Sequence, residues 1–343
     1  QVFMAMPSGA FQSGHLFVLC NSGSERALKA EVQSAGLGWR SGFQARGMVA
    51  FKADGGTFGR GELEQSLVFG RRVCLSVGKA NTQAEAESMV LAAVGEVRWH
   101  RLRLEERRWS VEAGGDPDAL RDGEAVGTVV ALGPEEYWVG VHWHRAGLSP
   151  DPGGIFGVEM PEDSPSRAWL KLEEAVRVFG LRFRRGDVAA ELGCAPGGVI
   201  LALLRRGVPV IGVDPARLAE VVMRHALPSV PSVDPAGDPW VVHCRKPAAL
   251  VSKRDLAGRA TWFLSDMNQS PAVAIAECRR FAGMCPSIHA ALITLKLTDL
   301  GEAAAAGEWL GAMRAIGFRD VRLRQLSVHH RELALLGTGR RVG

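Results

Sequence analysis

Asp187-Val-Ala-Ala-Glu-Leu-Gly-Cys-Ala-Pro-Gly-Gly198 decides the fold. An apolar run stops at a glycine-rich turn, and residues 197–206 then read as a helix. Downstream the same alternation continues, with strands at 209–214, 240–244, 261–266 and 289–297 and helical stretches at 216–226, 271–283 and 302–316. Buried apolar strands alternating with helices predict a doubly wound parallel α/β sheet. The last two runs, 321–327 and 332–338, are too close for a crossover and must pair as a hairpin, so the Rossmann-like sheet ends antiparallel.

Upstream the pattern is α+β. Strands are expected at 15–20, 47–52, 97–104 and 137–143, and helices at 22–35, 62–69 and 82–94. Residues 114–127, rich in Gly, Asp and Glu, read as a loop. The Pro/Asp/Gly-rich segment 149–166 is the expected boundary, giving a smaller α+β domain at 1–150, a linker at 151–165 and the Rossmann-like domain at 166–343. A length of 343 residues agrees with two domains.

Composition excludes several classes. With 47% hydrophobic and 23% charged residues the chain is not intrinsically disordered. No apolar run approaches the ~20 residues of a membrane helix, and the first residues lack a signal-peptide layout. The six cysteines are scattered without a C-x-x-C pair, which predicts neither a disulfide framework nor a zinc site. A reduced, cytoplasmic setting without metal or membrane is expected. Residues 1–150 hold 16 Lys/Arg against 17 Asp/Glu, and residues 151–343 hold 25 against 20, so charge favours a polyanionic partner only weakly.

The turn has the chemistry of a nucleotide site. Gly193 allows a sharp bend, and Gly197 and Gly198 let a ligand approach main-chain atoms at a helix start. The spacing is not G-x-G-x-x-G. Pro209-Val-Ile-Gly-Val-Asp214 ends the next strand in a carboxylate placed to accept from a ribose diol. Any adenosine ligand would satisfy this pair. A sheet closed by a hairpin is the layout of S-adenosylmethionine methyltransferases, whereas nicotinamide dehydrogenases usually continue in parallel.

Four further ionisable residues stand near strand ends or just upstream: Lys171, Asp266, Lys296 and Glu332. Each has a structural alternative: an Asp after a strand caps a helix, a Glu near a hairpin is exposed, and Lys171 sits on a solvated helix face. Lys296, between leucines in a central strand, must be paired or functional.

The order Lys–Asp–Lys–Glu across a glycine-turn sheet resembles the tetrad of the FtsJ-like RNA ribose 2′-O-methyltransferases. Ser166-Arg-Ala-Trp-Leu-Lys-Leu-Glu-Glu-Ala175, Glu191-Leu-Gly-Cys-Ala-Pro-Gly-Gly198, Asp266-Met267 and Leu295-Lys296-Leu297 resemble its RlmM branch, which methylates a cytidine ribose of 23S rRNA. The resemblance covers about 165–338, and residues 16–51 more loosely resemble the part preceding a THUMP RNA-binding module. It implies S-adenosylmethionine as cofactor and Lys296 as proton acceptor, with Lys171, Asp266 and Glu332 completing the tetrad. It further implies cofactor contacts from Ser166, Gly193, Ala195, Pro196, Gly197, Gly198, Asp214 and Asp266. A lysine removes a hydroxyl proton only if its pKa falls towards working pH. Two unit charges ~4 Å apart at an effective dielectric of ~20 interact by ~4 kcal/mol, about three pKa units, so Lys171 and the sulfonium are expected to push Lys296 down, with Asp266 and Glu332 orienting the lysines and opposing part of that shift.

The chain departs from that pattern. Ala168 stands where the family has a serine, residues 241–246 lack the acid expected to read the adenine amino group, and a helical portion expected around 105–130 is reduced to the loop. Another RNA or a hydroxylated small molecule as acceptor, and a non-catalytic RNA-binding factor, are the alternative readings. Trp99, Trp109, Trp138, Trp143 and the 36–40 segment are expected mainly in the core, with base stacking the alternative. His329 and His330 face opposite ways and are assigned to the hairpin loop.

Overall fold

The computed structural model describes residues 11–105, 108–113, 119–145, 147–233 and 239–341. The chain divides into two compact units, Gln1–Gly157 and Val158–Gly343.

The N-terminal unit comprises β1 (His15–Leu19), α1 (Glu25–Ser34), β2 (Trp39–Ala45), β3 (Met48–Ala53), β4 (Arg72–Ala80), α2 (Gln83–Val94), β5 (Arg98–Glu105), β6 (Arg108–Ala113), β7 (Ala125–Gly133) and β8 (Glu136–Trp143). The strands form one sheet in the order β2-β3-β1-β4-β8-β7-β5-β6. Pairing is antiparallel except between β5 and β7.

Three expectations are corrected here. The helix at 62–69 is only a 3₁₀ turn, Arg60–Glu64, because the Val68 and Phe69 amides donate to the Glu31 carboxylate instead of to helical carbonyls. The loop at 114–127 ends early: Gly127 lies inside β7, where a Cβ would meet the Trp99 ring at 2.8 Å, so this glycine serves packing and not a turn. Residues 114–118 of that expected loop lie outside the described residues. The described part of 105–130 also supplies β6 and the start of β7, so this stretch is largely extended chain. β2 and β4 were not anticipated.

One face of this sheet buries a basic cluster. Arg72 is 1% exposed and donates from Nη2 to the carbonyls of Ser149 and Asp151, fastening the 149–155 segment. The His100 and His142 rings lie 5.7 Å apart in the same region, and both side chains are fully enclosed.

The C-terminal unit comprises α3 (Ala168–Phe179), β9 (Ala189–Leu192), α4 (Gly198–Leu204), β10 (Val210–Val213), α5 (Glu220–Met223), β11 (Val241–Cys244), α6 (Lys253–Leu256), β12 (Trp262–Ser265), α7 (Pro271–Met284), β13 (Ala290–Lys296), α8 (Ala306–Ile316), β14 (Asp320–Arg324) and β15 (Glu332–Thr338). Strand order is β11-β10-β9-β12-β13-β15-β14. The first five strands in this order are parallel, and the β14–β15 hairpin closes the sheet antiparallel to β13, giving a Rossmann-like sheet. The helix expected at 216–226 shrinks to α5. Its first residues are bound elsewhere, with the Ala216 amide on Asp214 and the Ala219 amide on the Pro196 carbonyl.

α3 packs through Trp169, Leu172, Ala175 and Phe179, a helical stripe, and stops at Gly180 in the left-handed region. Its Glu174 is 2% exposed and accepts from the Ser327 and Val328 amides, tying the turn between β14 and β15 to the helix.

Candidate active site

Parallel strands present their carboxyl ends to one crevice. Leu192 of β9, Ser265 of β12 and Ile293 of β13 are level in the ladder, so β13 runs three residues further and carries Lys296 beyond its neighbours. Directly across the antiparallel pair stands Glu332, the first residue of β15. Asp266 follows β12 at once, and its amide donates to Leu192 O at 3.0 Å. Lys171 comes from the first turn of α3.

The structure brings these four side chains together as a closed square of alternating charge. Lys171 Nζ lies 3.1 Å from Asp266 Oδ2 and 3.0 Å from Glu332 Oε1. Lys296 Nζ lies 2.7 Å from Asp266 Oδ1 and also bonds Glu332 Oε1. Glu332 Oε1 is therefore shared by both ammonium groups. All four side chains are between 16 and 22% exposed.

The electrostatics correct the sequence expectation. Burial works against the Lys296 ammonium, but Asp266 and Glu332 outweigh it and hold Lys296 above the ordinary lysine range. Burial likewise works against the Glu332 carboxylate, yet the hydrogen bond from Lys296 and the charges of both lysines bring it down to about 2. The carboxylates, not the neighbouring ammonium, dominate: in the protein alone Lys296 keeps its proton.

The glycine turn is next to this square and is built for close approach. A Cβ on Gly193, whose φ is +73°, would meet the Met267 nitrogen at 2.9 Å. A Cβ on Gly197 would meet Val222 at 2.8 Å, and one on Gly198 would run into Ser166 Oγ. The Asp214 carboxylate braces the turn, accepting from Ala195 N at 3.1 Å and from Ala216 N at 2.8 Å. Ala195 and Pro196 are joined by a cis peptide at the turn's apex. Ser166, Gly193, Ala195, Pro196, Gly197, Gly198 and Asp214 thus form one lip, while Asp266 belongs to the square.

Sequence reasoning missed several neighbours. Glu191, inside β9, is 2% exposed, and its Oε2 has no hydrogen-bond partner among the described residues. Burial, then Asp266 and Asp214, push this carboxyl well above the carboxylate range. A carboxylate in an apolar strand was the available signal. His329, assigned to the hairpin loop, is 4% exposed and borders a small chamber behind the square together with Lys171, Glu191 and Asp266. Burial chiefly lowers His329 to about 4. His330 faces the other way, into an open cleft of about 480 Å³ that Lys171, Lys296 and Glu332 also line.

Where the sequence lacks an acid after β11, Asp255 of α6 reaches Lys246 at 2.8 Å. Among the described residues no three His, Cys, Asp or Glu side chains gather in a metal-binding group, and no helix is long and apolar enough to cross a membrane.

Residues 165–268 match the FtsJ-like methyltransferase family. Ribosomal RNA large subunit methyltransferase M of Laribacter hongkongensis is 46% identical over 72 residues, 19% of this chain and 20% of that protein. The protein of the same name from Tolumonas auensis is 37% identical over 95 residues, 26% of each. That from Halorhodospira halophila is 32% identical over 143 residues, 41% of this chain and 34% of that protein. The matched stretches span a fifth to a third of these relatives. Among solved structures, TrmN from Thermus thermophilus covers 95% of this chain and 99% of its own at 15% identity and a TM-score of 0.32. Magnesium protoporphyrin IX methyltransferase from Synechocystis, with bound SAM, covers 54% of this chain and 87% of its own at 11% identity and a TM-score of 0.34.

Proposed function

We propose, from the premise that the C-terminal unit carries an FtsJ-like methyltransferase domain, that this protein transfers a methyl group from S-adenosylmethionine to a ribose 2′-hydroxyl of RNA, a cytidine of 23S rRNA being the favoured acceptor. The observation that carries the reading is the alternating square of Lys171, Asp266, Lys296 and Glu332 beside a glycine lip and an open cleft.

The lip fits an adenosine-bearing cofactor, because its glycines let the turn pack directly on Met267, Val222 and Ser166 while Ala195 and Pro196 stand at its accessible edge. Ser166, the 193–198 turn and Asp214 would hold it. When bound, S-adenosylmethionine supplies an electrophilic methyl on a cationic sulfur.

The protein's own task is to take a proton from a weakly acidic alcohol as it attacks. Lys296 is the group placed for this, and its proton is held by two carboxylate oxygens that Lys171 also shares. Lys171 divides that hold, since each shared oxygen serves two ammonium groups. Added positive charge near the square weakens it further, so Lys296 becomes a base only in the loaded site. Asp266 and Glu332 keep both lysines oriented and cover the charge they gain.

The test is incubation of the purified chain with labelled S-adenosylmethionine and protein-free 23S rRNA, followed by mapping of the modified nucleotide. Label on one cytidine ribose is expected. Label on a base, or on no RNA under conditions where the cofactor binds, would overturn the reading.

A further inference from the structure

The cleft in front of the square carries charge that proton removal does not require. The square itself is neutral, two ammonium groups against two carboxylates. Arg167, Asn268, His330 and Arg331 also line the cleft, all exposed, and Glu332 is the one acidic residue among its lining. Arg167 is the N-cap of α3, four residues before Lys171, and Arg331 directly precedes Glu332. Two guanidinium groups from different elements are thereby tied in sequence to neighbouring corners of the square.

Neither has a carboxylate partner among the described residues. Arg331 donates to the Thr298 carbonyl at 3.2 Å, which leaves most of its fork open, and no ion pair engages Arg167. A guanidinium offers a planar fork suited to two oxygens of one phosphate. A neutral alcohol would have no use for two of them. A cleft of about 480 Å³ has room for one nucleotide. The part-buried square behind it demands a hydroxyl that can leave a stack and enter.

We infer that the cleft takes a single unstacked nucleotide of single-stranded RNA, with Arg167 and Arg331 holding the phosphates on either side of the acceptor ribose. His330 and Asn268 are left to meet the base. This deepens the reading above and rests on it: it assigns the acceptor to a polyanionic strand and excludes a small hydroxylated molecule.

The experiment measures binding of a fluorescent, unstructured RNA oligonucleotide by anisotropy over a range of salt, using the full chain and no turnover. The Arg167→Gln, Arg331→Gln double variant should lose about tenfold in affinity at moderate salt. Its plot of log affinity against log salt should be shallower by about 1.4, the share of two phosphates on a single strand. Arg331→Lys, alone, should keep nearly the parent slope because charge is retained. A duplex of the same sequence should bind the parent at least about tenfold more weakly than the single strand. An unchanged slope in the double variant, or equal binding of duplex and single strand, overturns the inference. Its failure is separable from failure of the transfer reading. A parent that binds RNA with the expected slope but methylates none sinks the transfer reading alone. A parent that methylates RNA while the double variant keeps the same KM and slope sinks this inference alone.

Discussion

The two units bury ionisable groups on their sheets to opposite ends. In the C-terminal unit, four charges alternate, three at strand ends and one on α3, each a fifth or so exposed and each satisfied by two opposite partners. In the N-terminal unit, Arg72, His100 and His142 lie in mid-sheet with 0–1% exposure. There the ring nitrogens of His100, Nε2 of His142 and two nitrogens of Arg72 have no hydrogen-bond partner among the described residues. Burial, then the charge of Arg72, lowers His100 to about 3 and His142 well below its usual range. Burial also brings Arg72 down to about 10. The difference separates two uses of polarity. A group that must exchange a proton keeps a path to water and a counter-charge; a group sealed without one gives up its charge or spends its bonds on holding a segment in place.

Substitutions can break this contrast. The largest effect is expected from Lys296→Ala: methyl transfer should fall by about 10²–10⁴-fold with RNA binding retained and only a modest drop in melting temperature, since Asp266 and Glu332 keep Lys171 as a partner. A stopped-time assay with labelled cofactor beside a melting curve checks both halves. Next comes Arg72→Met, which leaves the Ser149 carbonyl without its donor, while the Asp151 carbonyl keeps the Gly154 amide. A loss of about 2 kcal/mol in the N-terminal unit is expected, at about 1–3 kcal/mol for one orphaned group, read by urea unfolding.

Acid should then distinguish the units. His100 and His142 take up protons in the unfolded chain near pH 6.5 but in the folded one only far lower, near 3 for His100. The unfolded state therefore binds more protons between those values. The stability they confer is full above 6.5 and drains as pH falls, by about 1.4 kcal/mol per pH unit for each histidine. Glu332, held down to about 2, confers stability that is lost only as pH falls from about 4.5 towards 2. Hydrogen exchange followed peptide by peptide from pH 7 to 4 should show the N-terminal sheet opening first. Simultaneous opening of both sheets would remove the basis of the contrast.

The smallest and sharpest test is Lys171→Met. Without a second ammonium sharing Glu332 Oε1 and Asp266 Oδ1, both carboxylates hold the Lys296 proton more firmly. The rate–pH profile should move to higher pH by about one unit. A shift the other way would mean that repulsion between the lysines, as read from the sequence, outweighs the sharing.

Those tests mark what the residues alone disclosed. The C-terminal sheet was legible because its strands are apolar runs broken by glycine and helix, and 332–338 coincides with β15. The four members of the square were legible as types and in order. Their electrostatic balance was not, since it depends on which oxygen meets which nitrogen and on Glu332 facing both lysines. Glu174 was unreadable for the same reason: its partners, the amides of Ser327 and Val328, lie about 150 positions away. In the N-terminal unit, β4 begins with a buried arginine and β7 contains a glycine that accommodates Trp99, two features that locally imitate surface and turn.

Helix α3 touches the site at three places. Its approach, Ser166, lies against Gly198 of the lip; Lys171 supplies a corner of the square; and Glu174 grips the turn that leads to His330, Arg331 and Glu332. These three contacts fall within the approach and the first two turns of one helix, so the lip, the square and the hairpin turn rest on a single rigid support.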